Sequence, residues 1–232
     1  MKIISIIIVI AVVILLITSL GRNKKNIEPV TNDIVSTSTP AGPISLGIFK
    51  LADGKYSIDP SNALVKWTGR KVILKNWIDT GTIGIKQITF DVKNNSIISN
   101  KFEFDMTTIS AATTGAGSGQ DKLSGHLKSA DFFDVAKYPT SVFVARSITL
   151  ASSSTSFIVT GNLTIKDVTK EIAIPVAFSR VDGVIIAKGS IDIDRTKWNV
   201  KYGSGSFFDN LGNNVIDDIF NLNFELKLNL VK

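Results

Sequence analysis

Residues 121–134 read Asp121-Lys122-Leu123-Ser124-Gly125-His126-Leu127-Lys128-Ser129-Ala130-Asp131-Phe132-Phe133-Asp134, and Tyr138-Pro139-Thr140 follows shortly after. Leu123 and Leu127 stand four residues apart, a spacing that places both on one face of a helix. The stretch therefore predicts one short helix, over residues 120–130. Ser118, just before it, is the expected N-cap.

On both sides of this helix the chain consists of short segments in which apolar and polar residues alternate. The runs from Phe102 to Thr107 and from Leu222 to Asn229 show the alternation most clearly. A period of two is typical of antiparallel strands with one buried face, and it argues against parallel strands that are covered on both faces. The sequence on either side of the helix therefore predicts β-structure.

Polar turn signals separate these segments. They are Asn94-Asn95, Ser152-Ser153-Ser154, Lys166-Asp167 and Asp182-Gly183. The Lys166-Asp167 pair lies within a second characteristic stretch, Gly161-Asn162-Leu163-Thr164-Ile165-Lys166-Asp167-Val168-Thr169-Lys170. Such residues favour hairpin turns. The pattern predicts an all-β fold of about eight antiparallel strands, enough to close into a barrel, with the one short helix as its interruption.

Two phenylalanines link the helix to the next predicted strand. Phe132 and Phe133 follow the helix directly and are expected to plug one end of the barrel. Pro139 restricts Tyr138 to an extended backbone, so a strand is expected to begin near Ser141.

The N-terminus has a different composition from the rest of the chain. Ile3 to Leu20 is almost unbroken Ile, Val and Leu, long enough to cross a bilayer as a helix. Residues 1–21 are predicted to be an uncleaved transmembrane signal anchor, because the best candidate cleavage site, Ser19-Leu20-Gly21, is weak. A cleaved signal peptide is the alternative. The flanking positive charges do not decide the orientation.

Residues 22–53 are rich in Ser, Thr, Asn, Gly and Pro and have few aromatic residues, so they cannot offset their ordering entropy by burial. They are predicted to form a flexible stalk, although Ile44 to Leu51 is apolar enough to begin an edge strand instead. The barrel domain is predicted to span residues 54–232.

Composition excludes several classes of function. The chain has no cysteine, so it cannot form disulfides, use a thiolate nucleophile or carry a lipid on cysteine. Its net charge of +6 is spread along the chain and forms no stripe, which predicts no nucleic-acid binding.

The landmarks of the predicted barrel domain are similar, in order and spacing, to those of the YceI-like family of bacterial lipid-binding domains. They are the two stretches quoted above together with Tyr56-Ser57-Ile58-Asp59, Val65-Lys66-Trp67, Phe104-Asp105-Met106-Thr107-Thr108-Ile109 and Ile193-Asp194-Arg195-Thr196-Lys197-Trp198. The resemblance implies an eight-stranded lipocalin-like barrel whose interior tunnel binds a polyisoprenoid or a similar long-chain amphiphile. It also implies export, which places the domain on the extracytoplasmic side of a single-pass membrane anchor, in the periplasm or at the cell surface.

If such a tunnel exists, its wall is expected to be the inward apolar phase of the strands, with Phe133 and Trp198 near an opening. The predicted ligand-binding residues are Trp67, Phe104, Met106, Phe133, Phe143, Leu163, Phe178, Ile193, Trp198 and Phe224. An ordinary packed core without ligand contact is the alternative for each of them.

Reactive side chains suggest no catalytic site. His126 is the only histidine, and with no cysteine it has no evident partner for a metal site or a catalytic triad. Asp192 and Asp194 share a strand face opposite two isoleucines, so solvent exposure or a salt bridge to Arg195 is expected. Residues 115–119 are glycine-rich but lack the GK[ST] ending of a phosphate-binding loop.

The sequence therefore predicts a protein without enzymatic activity, metal or cofactor, other than a bound isoprenoid lipid or quinone. Its expected role is transport, storage or protective sequestration of that lipid at the cell envelope, and its oligomeric state stays open. The alternatives are an enzyme that acts on prenyl lipids and a structural or adhesive module with a filled core.

Overall fold

The computed structural model describes residues 44–45, 50–60, 63–151, 156–182 and 184–231. All of them belong to one unit of the chain, Pro40–Lys232. The predicted anchor, most of the predicted stalk, the serine-rich turn and Gly183 lie outside the described residues. No helix among the residues described is long and apolar enough to cross a membrane.

Ten strands and one α-helix make up the described fold. Their bounds are β1 (Ile44–Ser45), β2 (Gly54–Ile58), β3 (Leu64–Arg70), β4 (Ile78–Lys93), β5 (Ser96–Thr113), α1 (Gln120–Lys128), β6 (Thr140–Leu150), β7 (Ser156–Ile165), β8 (Val168–Val181), β9 (Val184–Asp194) and β10 (Ile219–Leu230). Two short 3-10 helices, Arg195–Trp198 and Gly212–Asn214, lie between β9 and β10.

The strands close into a barrel of eight positions. From β4 to β10 each strand pairs antiparallel with the next, and β10 returns to pair with both β2 and β3. Because β2 and β3 also share β4 as their other neighbour, they form one interrupted strand. The predicted eight-stranded antiparallel barrel with one helix is confirmed.

The two-residue turns have the geometry that their sequences predict. Asn94 and Asn95 both have positive φ angles, 51° and 57°, and join β4 to β5. Lys166 and Asp167 join β7 to β8, and of these two residues only Lys166 has a positive φ angle, 55°. Asparagine tolerates this left-handed backbone better than most residues, which is why such pairs favour tight hairpins.

The first described strand, β1, bears on whether residues 44–51 belong to the stalk or begin an edge strand. Ile44 and Ser45 pair antiparallel with Ile97 and Ser96 of β5. An edge strand is therefore present at the start of the segment that was also predicted as stalk.

The helix begins at Gln120, as predicted, but it ends two residues earlier than predicted and has a different N-cap. It ends at Lys128, where the Ser129 hydroxyl donates to the carbonyl of His126 at 2.8 Å. The N-cap is Gly119, with φ 88° and no side-chain hydrogen bond, so the prediction that Ser118 caps the helix is wrong. A left-handed backbone at this position favours glycine, which explains the difference.

The helix and the loops around it bury a second, smaller core at one end of the barrel. Its buried members are Trp67, Met106, Ile109, Leu127, Phe132, Val135 and Val200. We call the end of the barrel that carries α1 and this second core the closed end. Phe132 is buried within it, as expected of a residue that plugs the barrel.

Candidate functional site

The inward side chains of the barrel surround an apolar cavity of about 170 Å³. Every strand from β3 to β10 contributes to its wall. Except for Asn100 and Ser141, all residues that line it carry Leu, Ile, Val, Phe, Met or Ala side chains. The composition is that of a site for a hydrocarbon.

The lining of the cavity extends along most of the length of the strands. Its lining runs from Phe157 to Ile165 on β7 and from Phe220 to Leu228 on β10. Eight residue steps along a strand correspond to about 26 Å. A volume of 170 Å³ distributed along a channel of this kind suits one extended chain better than a compact ligand.

The two polar residues of the wall are already hydrogen-bonded to the barrel. The Ser141 hydroxyl donates to the carbonyl of Thr164 at 2.6 Å. The Asn100 amide donates to the carbonyl of Ala145 at 3.0 Å and accepts from the Ala145 N–H at 2.8 Å. With both side chains bonded to backbone, the wall selects for apolar surface.

Two glycines let large rings lie against the wall of the barrel. A Cβ atom at Gly189 would stand 2.4 Å from the ring of Phe224, and one at Gly161 would stand 2.6 Å from the ring of Phe143. Each ring therefore covers the bare backbone of a neighbouring strand. Because Phe224 and Phe143 both line the cavity, this placement keeps room in the lumen.

Phe133 lies at the boundary between the cavity and the second core, as does Met106, which lines the cavity and belongs to that core. Phe133 lines the cavity and packs against both hydrophobic clusters of the barrel. The second core therefore closes this end of the channel.

At the opposite end, the residues before β2 reach the cavity. Leu51 lines it, and its neighbours are held by the barrel. The Arg180 guanidinium donates to the carbonyl of Lys50 at 3.0 Å, and the Tyr56 hydroxyl donates to the carbonyl of Ala52 at 3.1 Å. Residues 50–52 were predicted as stalk, but they belong to the barrel by these contacts.

Seven of the ten predicted wall residues line the cavity: Phe104, Met106, Phe133, Phe143, Leu163, Phe178 and Phe224. Their contact with a ligand stays a prediction. The other three, Trp67, Ile193 and Trp198, are not part of the lining, and they are buried in the hydrophobic clusters around it.

Both tryptophans are packed against backbone. Trp67 lies in the second core, and its indole N–H donates to the carbonyl of Ser110 at 3.2 Å. Trp198 stands in the 3-10 helix after β9, and its indole N–H donates to the carbonyl of Leu163 at 3.1 Å. Ile193 is packed in the main core, while Ile191 two residues earlier lines the cavity.

Arg195 is a structural residue, and the sequence offers it as one possible salt-bridge partner of Asp192 and Asp194, with solvent exposure of the two aspartates as the alternative. Only 4% of Arg195 is exposed, and its guanidinium donates to four backbone carbonyls between residues 200 and 217. Its ion pair is with Asp218 at 3.5 Å, whereas Asp194 accepts from the N–H of Thr196.

Burial lowers the pKa of the Arg195 guanidinium from its ordinary value, and the carboxylates of Asp218, Asp217 and Asp194 oppose that effect. An arginine stays charged at neutral pH in either case. Asp192 is exposed, as one of the two expectations has it, whereas the alternative salt bridge of Asp192 or Asp194 to Arg195 is wrong in its partner, which is Asp218. The guanidinium holds the connection between β9 and β10 in place.

His126 also has a packing role. Its ring makes edge contacts with Phe132 and Tyr202, at centroid distances of 5.0 and 4.5 Å, and Nε2 lies 3.6 Å from a carboxylate oxygen of Asp131. No cluster of three metal-ligating side chains occurs among the residues that the structure describes. The histidine does not line the cavity.

An eight-stranded antiparallel barrel is wide enough to hold one small ligand, and this one encloses an apolar cavity. The family model of the YceI-like domain matches residues 56–228. The chain therefore belongs to the YceI-like domain family, as the sequence resemblance predicts.

Curated relatives match about a third of the chain. A UPF0312 protein of Azotobacter vinelandii is 33% identical over 78 residues, which are 34% of this chain and 40% of that protein. Protein YceI of Escherichia coli O6:H1 is 31% identical over 86 residues, which are 37% of this chain and 40% of that protein. The chain thus spans about two fifths of the length of these relatives.

Solved structures share the fold at low sequence identity. BcnA of Burkholderia cenocepacia superposes with a TM-score of 0.55 at 20% identity, over 74% of this chain and 99% of that one. A polyisoprenoid binding domain from Saccharophagus degradans, described as implicated in plant cell wall breakdown, gives a TM-score of 0.53 at 13% identity, over 76% of this chain and 98% of that one. At these identities the likeness shows the fold alone.

Proposed function

We propose that this protein binds the hydrocarbon chain of an isoprenoid lipid, or of a similar long-chain amphiphile, in the barrel cavity. The observation that carries the proposal is the long, narrow channel whose wall offers no unbonded polar group. A hydrocarbon chain gains about 0.8 kcal/mol for each CH₂ removed from water, so many weak contacts suffice. Membership of the YceI-like domain family supports the same function.

The alternatives are less well supported by the cavity. A structural module with a filled core leaves no reason for the channel along the barrel axis. An enzyme that acts on prenyl lipids needs a reactive group beside its substrate, and the cavity lining contains no titratable side chain. His126, the residue that could have served, is packed between aromatic rings instead.

We further propose that residues 1–21 tether the barrel to a membrane on its extracytoplasmic side. This part of the proposal rests on the apolar run from Ile3 to Leu20 and on the analogy with exported relatives of the family. Protease added to intact cells is expected to degrade the barrel. Protection of the barrel in intact cells, with loss only after lysis, would contradict the proposed side.

Mass spectrometry of an organic extract from gently purified full-length protein tests the binding proposal. We expect one long-chain lipid per protein. Ala187 is a small residue of the cavity wall, so Ala187→Phe should fill the channel and abolish lipid recovery. Ala177 lies one strand away on the exposed face, paired with Lys188, and Ala177→Phe is the matched control that should keep the lipid.

Equal lipid recovery from both variants would place the lipid outside the channel. Absence of lipid from the wild-type extract, together with failure of the purified protein to take up any long-chain lipid, would refute the proposal.

A further inference from the structure

Two loops at the closed end of the barrel present an apolar surface that the cavity does not explain. They are residues 71–77, between β3 and β4, and residues 199–218, between β9 and β10. Val72, Ile73, Phe207 and Phe208 are each about half exposed, between 48% and 55%. We call these four residues, together with Lys71, Lys75 and Lys201, the loop surface.

The two halves of the loop surface are joined by a short ladder. Ile216 forms an antiparallel bridge with Lys71 on one side and a parallel bridge with Ser204 on the other. The Val72 N–H donates to the carbonyl of Val215 at 3.0 Å. Since adjacent extended segments lie about 4.8 Å apart, the outer two segments of this ladder are separated by about 10 Å.

The loop surface is held rigidly by the barrel. The Arg195 guanidinium donates to the carbonyls of Val200, Tyr202, Ile216 and Asp217, which lie on both sides of the exposed phenylalanines. The N–H groups of Phe207 and Phe208 both donate to the carbonyl of Ser204. Exposure of the aromatic side chains is therefore a feature of an ordered loop.

Positive charge accompanies the apolar side chains. The Lys71 ammonium stands 4.4 Å from the ring centroid of Trp77, and the Lys201 ammonium stands 4.5 Å from that of Phe207. Lys75 lies in the same loop as Lys71, and it is exposed. Within the described part of the chain, none of these three lysines forms an ion pair with a carboxylate.

The carboxylates of this region are mostly neutralised by arginine. Asp217 lies 3.6 Å from the guanidinium of Arg70, and Asp218 is paired with Arg195. Asp209 is exposed next to Phe208 and carries the remaining negative charge. Lys71, Lys75 and Lys201 therefore leave the loop surface with a net positive charge.

We propose that the loop surface docks on the surface of an anionic lipid bilayer. Aromatic and aliphatic side chains set among lysines are characteristic of segments that lie in the headgroup region, where the rings enter the interface and each lysine gains from the negative surface potential. Unlike a protein partner, an anionic bilayer offers a uniform negative charge, which fits the net positive charge that the three lysines leave on the loop surface. This contact is separate from ligand binding, because none of its residues lines the cavity.

Site-specific fluorescence quenching tests the proposal on the full-length protein. The chain has no cysteine, so a single introduced cysteine carries the label uniquely. Ile73→Cys and Phe208→Cys place a fluorophore on the loop surface, and Val181→Cys places it at the opposite end of the barrel on a residue of similar exposure, 52%. The vesicles contain phosphatidylcholine, phosphatidylglycerol and a nitroxide-labelled lipid.

We expect strong quenching at positions 73 and 208 and little at 181. Because a tether at residues 1–21 would bring every variant to the vesicle, the difference between labels reports which face meets the lipid. Quenching at 73 and 208 should be lost with vesicles of phosphatidylcholine alone, and also after combined Lys71→Gln, Lys75→Gln and Lys201→Gln substitution.

Equal quenching at all three labels would overturn the proposal, and so would stronger quenching at 181. Self-quenching of the label at 208 in the absence of vesicles, without quenching by lipid, would also overturn it, because the loop surface would then meet a second copy of the chain. None of these outcomes depends on whether the cavity holds a lipid.

Discussion

At the scale of single residues, the cavity depends on two glycines in the barrel wall as well as on the apolar side chains that line it. Gly189 gives the Phe224 ring a place against the wall of the barrel, and Gly161 does the same for Phe143. In a channel this narrow, a ring displaced into the lumen occupies the space that a ligand chain needs. The two glycines differ in what surrounds them, which separates their expected effects.

Gly189→Ala is expected to weaken lipid binding while the barrel stays folded. The new methyl would stand 2.4 Å from the far edge of the Phe224 ring, a side chain that can move, and 3.0 Å from the carbonyl of Pro175. The ring is then displaced into the lumen. Binding is measured by displacement of a fluorescent long-chain probe, and combined Phe224→Leu substitution should restore it.

The matched control is Gly125→Ala. Nothing lies within 4 Å of a Cβ atom at this position in α1, and alanine is favoured over glycine in a helix by about 0.5–1 kcal/mol. Probe binding should be unchanged and stability slightly increased. Unaltered probe binding by folded Gly189→Ala would show that the Phe224 ring does not limit the channel.

At the scale of the elements, the weakest junction of the barrel lies between β5 and β6. Their backbones pair only from Phe102 to Asp105 with Thr140 to Phe143, although both strands are much longer. Next to this short ladder, the Asn100 side chain bonds both the N–H and the carbonyl of Ala145. One side chain thus extends the ladder by one pair.

Asn100→Ala is expected to loosen this junction. It leaves the N–H and carbonyl of Ala145 without their partner, at a cost of about 1–3 kcal/mol. Hydrogen exchange of the Ala145 amide should accelerate more than that of the neighbouring ladder. Ser99→Ala, which removes an exposed hydrogen bond to Asp91, is the control and should leave this amide protected. Equal protection in Asn100→Ala and wild type would contradict the role of the side chain.

The elements also show where prediction from sequence succeeds. Period-two alternation identifies the strands, because a half-buried strand must alternate, and Asn94-Asn95 identifies a hairpin, because asparagine tolerates positive φ. The helix follows from the spacing of Leu123 and Leu127. These are local signals, and each is set by a few neighbouring residues.

Prediction fails where the cause is distant in the sequence. Alternation shows which face of a strand points inward, but it does not show what fills the barrel at that height, so Trp67 and Ile193 were expected to line the cavity. Arg195 is buried because its guanidinium donates to backbone carbonyls of the loop that follows it, between residues 200 and 217. Leu51 lies in a stretch of stalk-like composition, and only the folded barrel brings it to the cavity.

At the scale of the whole molecule, the described fold combines a channel with one end closed by a second core and an apolar, basic surface at that same end. The channel supports binding of a hydrocarbon chain, and the loop surface supports contact with a membrane. Residues 1–21 are proposed to add a permanent tether.

The central claim is that one extended hydrocarbon chain occupies the channel, and the dependence of affinity on chain length tests it most directly. Binding of a homologous series of single-chain amphiphiles with one headgroup is measured by calorimetry on the full-length protein. Each added CH₂ should lower Kd about fourfold, from about 0.8 kcal/mol per buried CH₂, until the chain reaches the second core and the gain stops. Affinity that is independent of chain length, or set by the headgroup alone, would contradict the account.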